Sequence, residues 1–121
     1  MARQYTKTHE WVEKEGDLYR VGITDHAQEQ LGDLVFINLP NVDDEMTRGE
    51  ALADVESVKA VSDILSPFTG RVAEVNEALA DAPETINAQP YEAWIAKLAD
   101  VTESVELLDE AAYEQFVQEE A

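Results

Sequence analysis

The chain has 121 residues, 45% of them hydrophobic, which is enough for one packed domain spanning 1–121. Its 27 acidic and eight basic residues give a net charge of −19, so we expect neither nucleic acid nor a membrane surface as a partner. There is no cysteine, which excludes disulfides, thiolate zinc sites and a thiol nucleophile.

The distribution of charge and apolar residues also predicts a location. The acids are spread along the whole chain, and lysine occurs only at positions 7, 14, 59 and 97. We find no secretory signal at the start and no apolar run of transmembrane length. These features predict a cytoplasmic protein and favour a salt-adapted prokaryote, where screening relieves the repulsion among so many acids.

The first 40 residues predict short strands and one helix. Residues 10–12 and 18–23 have the composition of two strands joined by a tight turn. The segment TDHAQEQLG, at 24–32, predicts a short helix with a capping residue at its start and glycine at its end. The alternation in DLVFINLP, at 33–40, predicts a further strand, with Leu34, Phe36 and Asn38 on one face.

The remainder predicts more strands and a terminal helix. ALADVES and AVSDIL are separated only by Val58 and Lys59, which is hairpin spacing, and strands are also expected at 71–76 and 91–98. From Val101 there is no glycine or proline, and apolar residues recur every four positions, which predicts an amphipathic helix over about 102–119. A β body over about 5–100 with this helix is typical of a mainly β barrel or sandwich.

Few residue combinations point to catalysis. The two histidines, His9 and His26, could hold a metal only if they met across the fold, and the simpler expectation is that His9 packs at a strand end. Paired carboxylates are uninformative in so acidic a chain. Nucleophile-elbow, P-loop and dinucleotide-binding motifs are all absent from the sequence.

Lys59, in VESVKAVSD, is the most distinctive position. A lysine at an exposed turn is common and needs no function. A lysine that another enzyme must acylate, however, has to protrude, be reachable and lack an acidic partner. Lys59 has no acid beside it and small neighbours, so a role as an attachment point is the alternative.

The sequence around this lysine resembles a known family. ESVKAVSD followed by SPFTGRVAEVN is similar to the lipoyl-lysine signature of glycine cleavage system H proteins. The likeness continues in HEWV, VGITDHAQEQLGDLVFINLP, VNEAL and LLDEAAYEQF, and it covers nearly the whole chain. It implies a barrel-sandwich hybrid, the fold of lipoyl domains, with Lys59 at a hairpin tip and short helices at the ends.

The resemblance also implies a function. Lipoic acid would be amide-linked to Lys59 by a lipoyl ligase or transferase, with Glu56 and Gly70 as recognition positions. The chain would then carry the aminomethyl group of glycine from the pyridoxal-phosphate-dependent glycine decarboxylase to the tetrahydrofolate-dependent aminomethyltransferase. Dihydrolipoyl dehydrogenase, with FAD and NAD, would re-oxidise it. The chain itself would catalyse nothing. Biotin is disfavoured because Val58 and Ala60 replace the methionines of biotin carriers.

The resemblance further implies a surface cleft that shelters the lipoyl-lysine arm of Lys59 when the arm carries the aminomethyl group. By position, Glu10 and Asp63 would face its amine, with Thr8 beside them. Gln30 stands where relatives often have histidine, and the segment before Trp94 is shorter than usual. Three alternatives remain open from sequence: a lipoyl donor in a relay to other enzymes, a non-lipoylated acidic interaction module, and an acid/base enzyme.

Overall fold

A computed structural model of the chain describes residues 3–120. The ends of the predicted domain 1–121, namely residues 1, 2 and 121, lie outside this range, and the one-domain assignment stays a prediction. No helix within the described range is long and apolar enough to cross a bilayer.

Within the described range the protein is mainly β, as predicted, with short helices between and after the strands. The strands are β1 (Gln4–Tyr5), β2 (Glu10–Glu15), β3 (Leu18–Ile23), β4 (Leu34–Asn38), β5 (Glu45–Met46), β6 (Ala51–Ser57), β7 (Val61–Leu65), β8 (Phe68–Val75) and β9 (Ala96–Ser104). The helices are α1 (Asp25–Leu31), α2 (Ala78–Asp81), α3 (Thr85–Ala88) and α4 (Glu110–Glu120).

The strands form two antiparallel sheets. A six-stranded sheet has the order β1-β2-β3-β9-β8-β5, and a three-stranded sheet has the order β4-β6-β7. Buried side chains from both sheets, together with Leu79 of α2 and Ile86 of α3, share one hydrophobic core. This arrangement places β6 and β7, which flank Lys59, on the smaller sheet.

A second, aromatic cluster attaches α4 to the larger sheet. Tyr5, Trp11 and Tyr113 are buried together, and the rings of Tyr5 and Tyr113 stack with centroids 4.7 Å apart. The Trp11 indole N–H donates to the Pro90 carbonyl over 2.9 Å, so the one polar atom of this buried ring is satisfied. The cluster fixes where the last helix lies.

Several local expectations hold in the structure. The strand predicted at 18–23 and the two hairpin strands around Lys59 form as β3, β6 and β7. Helix α1 begins after Thr24, whose hydroxyl accepts the Ala27 N–H over 3.2 Å, and it ends at Leu31 with Gly32 as the C-terminal cap. Strand β4 departs from strict alternation, because a bulge between Leu34 and Phe36 buries Leu34 and Ile37 and leaves Phe36 exposed.

The predicted C-terminal helix over about 102–119 is wrong at its start, and the β body does not end near 100. Residues up to Ser104 extend β9, where Ser104 lies opposite Phe68 of β8. Helix α4 begins only at Glu110, because the Asp109 carboxylate accepts the Ala112 N–H over 2.8 Å and caps it. Its buried anchor is Tyr113.

Two other expectations need correction. The strand predicted at 91–98 starts only at Ala96, because the preceding residues form turns. Helices α2 and α3, between β8 and β9, were not predicted. Each is a single turn of four residues and is therefore too short to show a helical period in the sequence.

Candidate functional site

Lys59 lies at the tip of the β6–β7 hairpin. The Ser57 N–H donates to the Ala60 carbonyl over 2.8 Å, and the Ser57 hydroxyl oxygen accepts the Ala60 N–H over 3.0 Å and the Lys59 N–H over 3.3 Å. These bonds close a three-residue turn without the glycine that short hairpins favour. The lysine side chain is exposed.

The tip rests on the end of α1. The Val58 N–H donates to the Asp33 carbonyl over 3.0 Å, and the Lys59 stem lies over Gly32, where an added Cβ would come 3.1 Å from Lys59 Cε. Among residues 3–120, Lys7 and Lys97 form ion pairs with glutamates and Lys59 forms none. The Lys59 side chain therefore lies against the end of α1, and no acidic side chain within residues 3–120 pairs with its amine.

Exposed apolar side chains surround this tip, and we call them the apolar collar. The collar consists of Val35, Phe36, Val58 and Val61, which are 50–70% exposed. Register places Phe36 and Val61 on either side of Glu56 across the small sheet. Several exposed apolar side chains beside a protruding lysine are typical of a site that another protein approaches.

The four residues predicted for the arm cleft line one cavity. Thr8, Glu10, Gln30 and Asp63 border a recess of about 170 Å³. Its walls come from the segment that leads into β2, from the end of β3, from α1 and from β7, with apolar surface supplied by Ile23, Ala27, Leu31 and Ile64. Because Gln30 and Leu31 immediately precede the glycine under Lys59, the cavity and the lysine lie at the same end of α1.

Glu10 is the buried acid of this cavity and is only 3% exposed. Burial raises the pKa of the Glu10 carboxyl above its ordinary value of 4.5, and hydrogen bonds donated by Thr8 and Thr6 partly oppose that rise. Thr6 was not predicted. The alternation Thr6, Thr8, Glu10 is the sequence signal that would have found it. Thr8 and Glu10 also border a second recess of about 170 Å³ next to Ser66 and Val105.

The two predicted recognition residues lie on different sheets. Glu56 is exposed near the end of β6, with Ser57 between it and the turn that carries Lys59. Gly70 lies on β8 of the large sheet, opposite Met46. An added Cβ there would approach the Ala99 carbonyl oxygen to 2.7 Å, so close packing of strands requires glycine at this position.

The structure also brings the two histidines together, which the sequence left open. Their ring centroids are 4.6 Å apart, and both face Glu120 of α4. His9 packs directly before β2, as expected of a histidine at a strand end. The participation of Glu120 was not predicted, because it depends on how α4 docks.

Comparison with known proteins identifies the family. The model of the glycine cleavage H-protein family matches residues 3–120. This chain belongs to that family. As an H protein it is a carrier component of the glycine cleavage system and not a catalyst.

Similar proteins support the assignment along the full length. The glycine cleavage system H protein of Lachnoclostridium phytofermentans is 59% identical over 96% of this chain and 92% of its own. That of Thermotoga maritima is 50% identical over 98% of both chains. A crystal structure of the Mycobacterium marinum H protein superposes with a TM-score of 0.87 at 40% identity, covering 98% of this chain and 96% of that one. The expected barrel-sandwich fold is confirmed.

Proposed function

We propose that this protein carries lipoic acid, amide-linked to Lys59, and shuttles the aminomethyl group of glycine within the glycine cleavage system. The observation that carries the proposal is the hairpin tip, where Lys59 is exposed and has no acidic partner among residues 3–120. The tip is held by the Lys59 N–H, which donates to the Ser57 hydroxyl, and by the Val58 N–H, which donates to the Asp33 carbonyl. A ligase or transferase can reach such an amine, and the rigid turn presents it in one orientation.

The proposed route has three partners. The chain would receive its cargo at the pyridoxal-phosphate-dependent glycine decarboxylase and deliver it to the tetrahydrofolate-dependent aminomethyltransferase. Dihydrolipoyl dehydrogenase, using FAD and NAD, would restore the oxidised form. When attached, the lipoyl group supplies the sulfur chemistry. The protein supplies tethering, which keeps the cargo at high effective concentration for each enzyme.

The residues around Lys59 fit such an arm. Its stem already lies over Gly32 at the end of α1, and the cavity bordered by Thr8, Glu10 and Gln30 begins beside that point. The cavity has apolar walls for an alkyl chain and a buried carboxylate for a cationic amine. An ammonium group brought against Glu10 would form a charge-assisted hydrogen bond and offset the cost of burying that acid.

Recognition by the modifying enzyme is proposed to use Glu56, which is exposed beside the tip, while Gly70 contributes through the packing of β8 on β9. The bacterial relatives are compatible with a cytoplasmic setting, and both that location and the salt-rich environment stay predictions.

The deciding experiment is intact-protein mass spectrometry on material from the native host, with peptide mapping around Lys59. We expect a lipoyl-sized mass increase on the Lys59 peptide. Lys59→Arg should abolish that increase and the support of glycine cleavage in a reconstituted system. Lys14→Arg, a matched change at an exposed lysine elsewhere, should retain both. An unmodified Lys59, in cells that lipoylate their other carriers, would favour the plain interaction module instead.

A further inference from the structure

Three side chains from separate parts of the chain converge beside the last turn of α4. His9 lies just before β2, His26 lies in the first turn of α1, and Glu120 ends α4. Glu120 Oε1 is 2.8 Å from His9 Nε2 and 3.6 Å from His26 Nε2. One nitrogen or oxygen donor from each residue lies within 4.8 Å of the other two.

The distances between these nitrogen and oxygen atoms are suitable for binding one metal ion. A tetrahedral site with bonds of about 2.0–2.2 Å holds its donor atoms about 3.4 Å apart, and the two observed distances bracket that value. Two imidazoles and one carboxylate suit zinc or nickel better than magnesium or calcium, which prefer oxygen ligands.

The orientation of His9 is controlled by a second layer of hydrogen bonds. Its Nδ1 lies 2.8 Å from the Tyr113 hydroxyl, which lies 2.7 Å from the Thr24 hydroxyl. The Tyr113 hydroxyl can therefore accept the His9 Nδ1–H while donating its own proton to Thr24. His9 Nε2 then presents its lone pair toward Glu120, as metal-binding histidines do when their other nitrogen is anchored.

The electrostatics of α4 favour a cation at this point. The last turn of a helix carries partial negative charge, and this one contains Glu119 and Glu120 with no basic residue. A chain of net charge −19 also concentrates divalent cations near its surface.

We propose that His9, His26 and Glu120 form a binding site for a divalent transition-metal ion such as Zn²⁺ or Ni²⁺. Water completes the coordination shell. The ion links α1, α4 and the segment before β2, so its binding holds α4 on the body and stabilises the folded state in proportion to ion concentration.

Isothermal titration of ZnCl₂ into the full chain with Lys59 unmodified tests this proposal, since no lipoyl thiol is then available to compete. We expect saturable uptake of one ion per chain and a rise in melting temperature that EDTA reverses. His26→Gln should weaken binding at least about tenfold, as expected for a lost ligand or supporting contact. The control Glu119→Gln, which removes the same charge as Glu120→Gln from the same turn, should bind within about twofold of the parent.

Two outcomes overturn the proposal. One is the absence of saturable Zn²⁺ uptake, which leaves the cluster as a histidine–glutamate hydrogen-bond pair. The other is equal affinity in the His26→Gln and Glu119→Gln variants, which reduces the binding to general attraction by the acidic surface. Circular dichroism of each variant establishes that a loss of binding does not reflect unfolding.

Discussion

Replacing Gly32 with alanine tests how the end of α1 supports the lysine tip. Gly32 has φ +83° and ψ −165°, a region that side-chain-bearing residues essentially do not occupy. Forcing alanine into it costs about 1–3 kcal/mol. The new methyl group would also lie 3.1 Å from Lys59 Cε, but that contact is with the flexible end of an exposed chain and is relieved by a small movement. Backbone strain therefore dominates the expected loss.

Urea unfolding of Gly32→Ala and of the parent chain gives the free energy directly. At about 4 °C per kcal/mol for a domain of this size, the melting temperature should fall by about 4–12 °C. Gly16→Ala is the matched control, because Gly16 has φ +61° in open space and alanine in that left-handed region costs about 1–2 kcal/mol. The fraction of Lys59 that becomes modified should be unchanged. A Gly32→Ala loss no greater than that of the control would refute the strain argument.

Three further changes test other parts of the structure. Glu10→Gln should stabilise the protein at pH 8 and have little effect near pH 4. Burial raises the pKa of Glu10 in the folded state above 4.5, so the parent protein loses stability as the pH rises from 4.5 through that raised pKa. A difference in unfolding free energy between variant and parent that does not change with pH would contradict this. Gly70→Ala should destabilise by about 1–3 kcal/mol, because its methyl group meets the Ala99 carbonyl oxygen at 2.7 Å; an unchanged urea midpoint would instead favour a pure recognition role. Tyr113→Phe should cost about 1 kcal/mol in thermal unfolding, because it removes the hydroxyl that contacts buried Thr24 and part-buried His9. A neutral result would show that water replaces the hydroxyl.

The hairpin around Lys59 was predictable because its determinants are local. Apolar residues on either side of a two- or three-residue gap specify paired strands, and Ser57 supplies the turn's hydrogen bonds from within the same segment. The cavity behind it was predicted through family resemblance. The alternation of Thr8 with Glu10 was present in the sequence, but the burial that raises the pKa of Glu10 depends on the whole fold.

The C-terminal third shows where local patterns fail. Residues after Val101 lack helix breakers, yet an unpaired edge of β8 is available, and pairing of Ser104 with Phe68 extends β9 instead. Whether these residues form a strand or a helix therefore depends on β8, a partner strand more than 30 residues earlier in the chain. Asp109, which caps α4, belongs to a residue type that is preferred at helix starts, but one more aspartate among 27 acids does not stand out in the sequence.

The meeting of His9, His26 and Glu120 was beyond sequence reasoning for a related reason. Glu120 reaches the histidines only because Tyr113 stacks on Tyr5 and fixes the direction of α4. Neither the spacing of the histidines nor the composition of the helix contains that information. Contacts between distant segments follow from packing, which local periodicity does not describe.

The apolar collar has a consequence for how ionic strength affects encounters with other proteins. Where two proteins attract each other through opposite charges, added salt slows their association because it screens that attraction. Here the surface nearest Lys59 is formed by Val58, Val61 and their neighbours, with the exposed acid Glu56 among them. Screening weakens the repulsion that Glu56 exerts on other anions and leaves the apolar attraction intact, while salts such as sulfate strengthen that attraction. Association through this end of the molecule should therefore persist, or become faster, in brines that would dissociate a complex held by ion pairs.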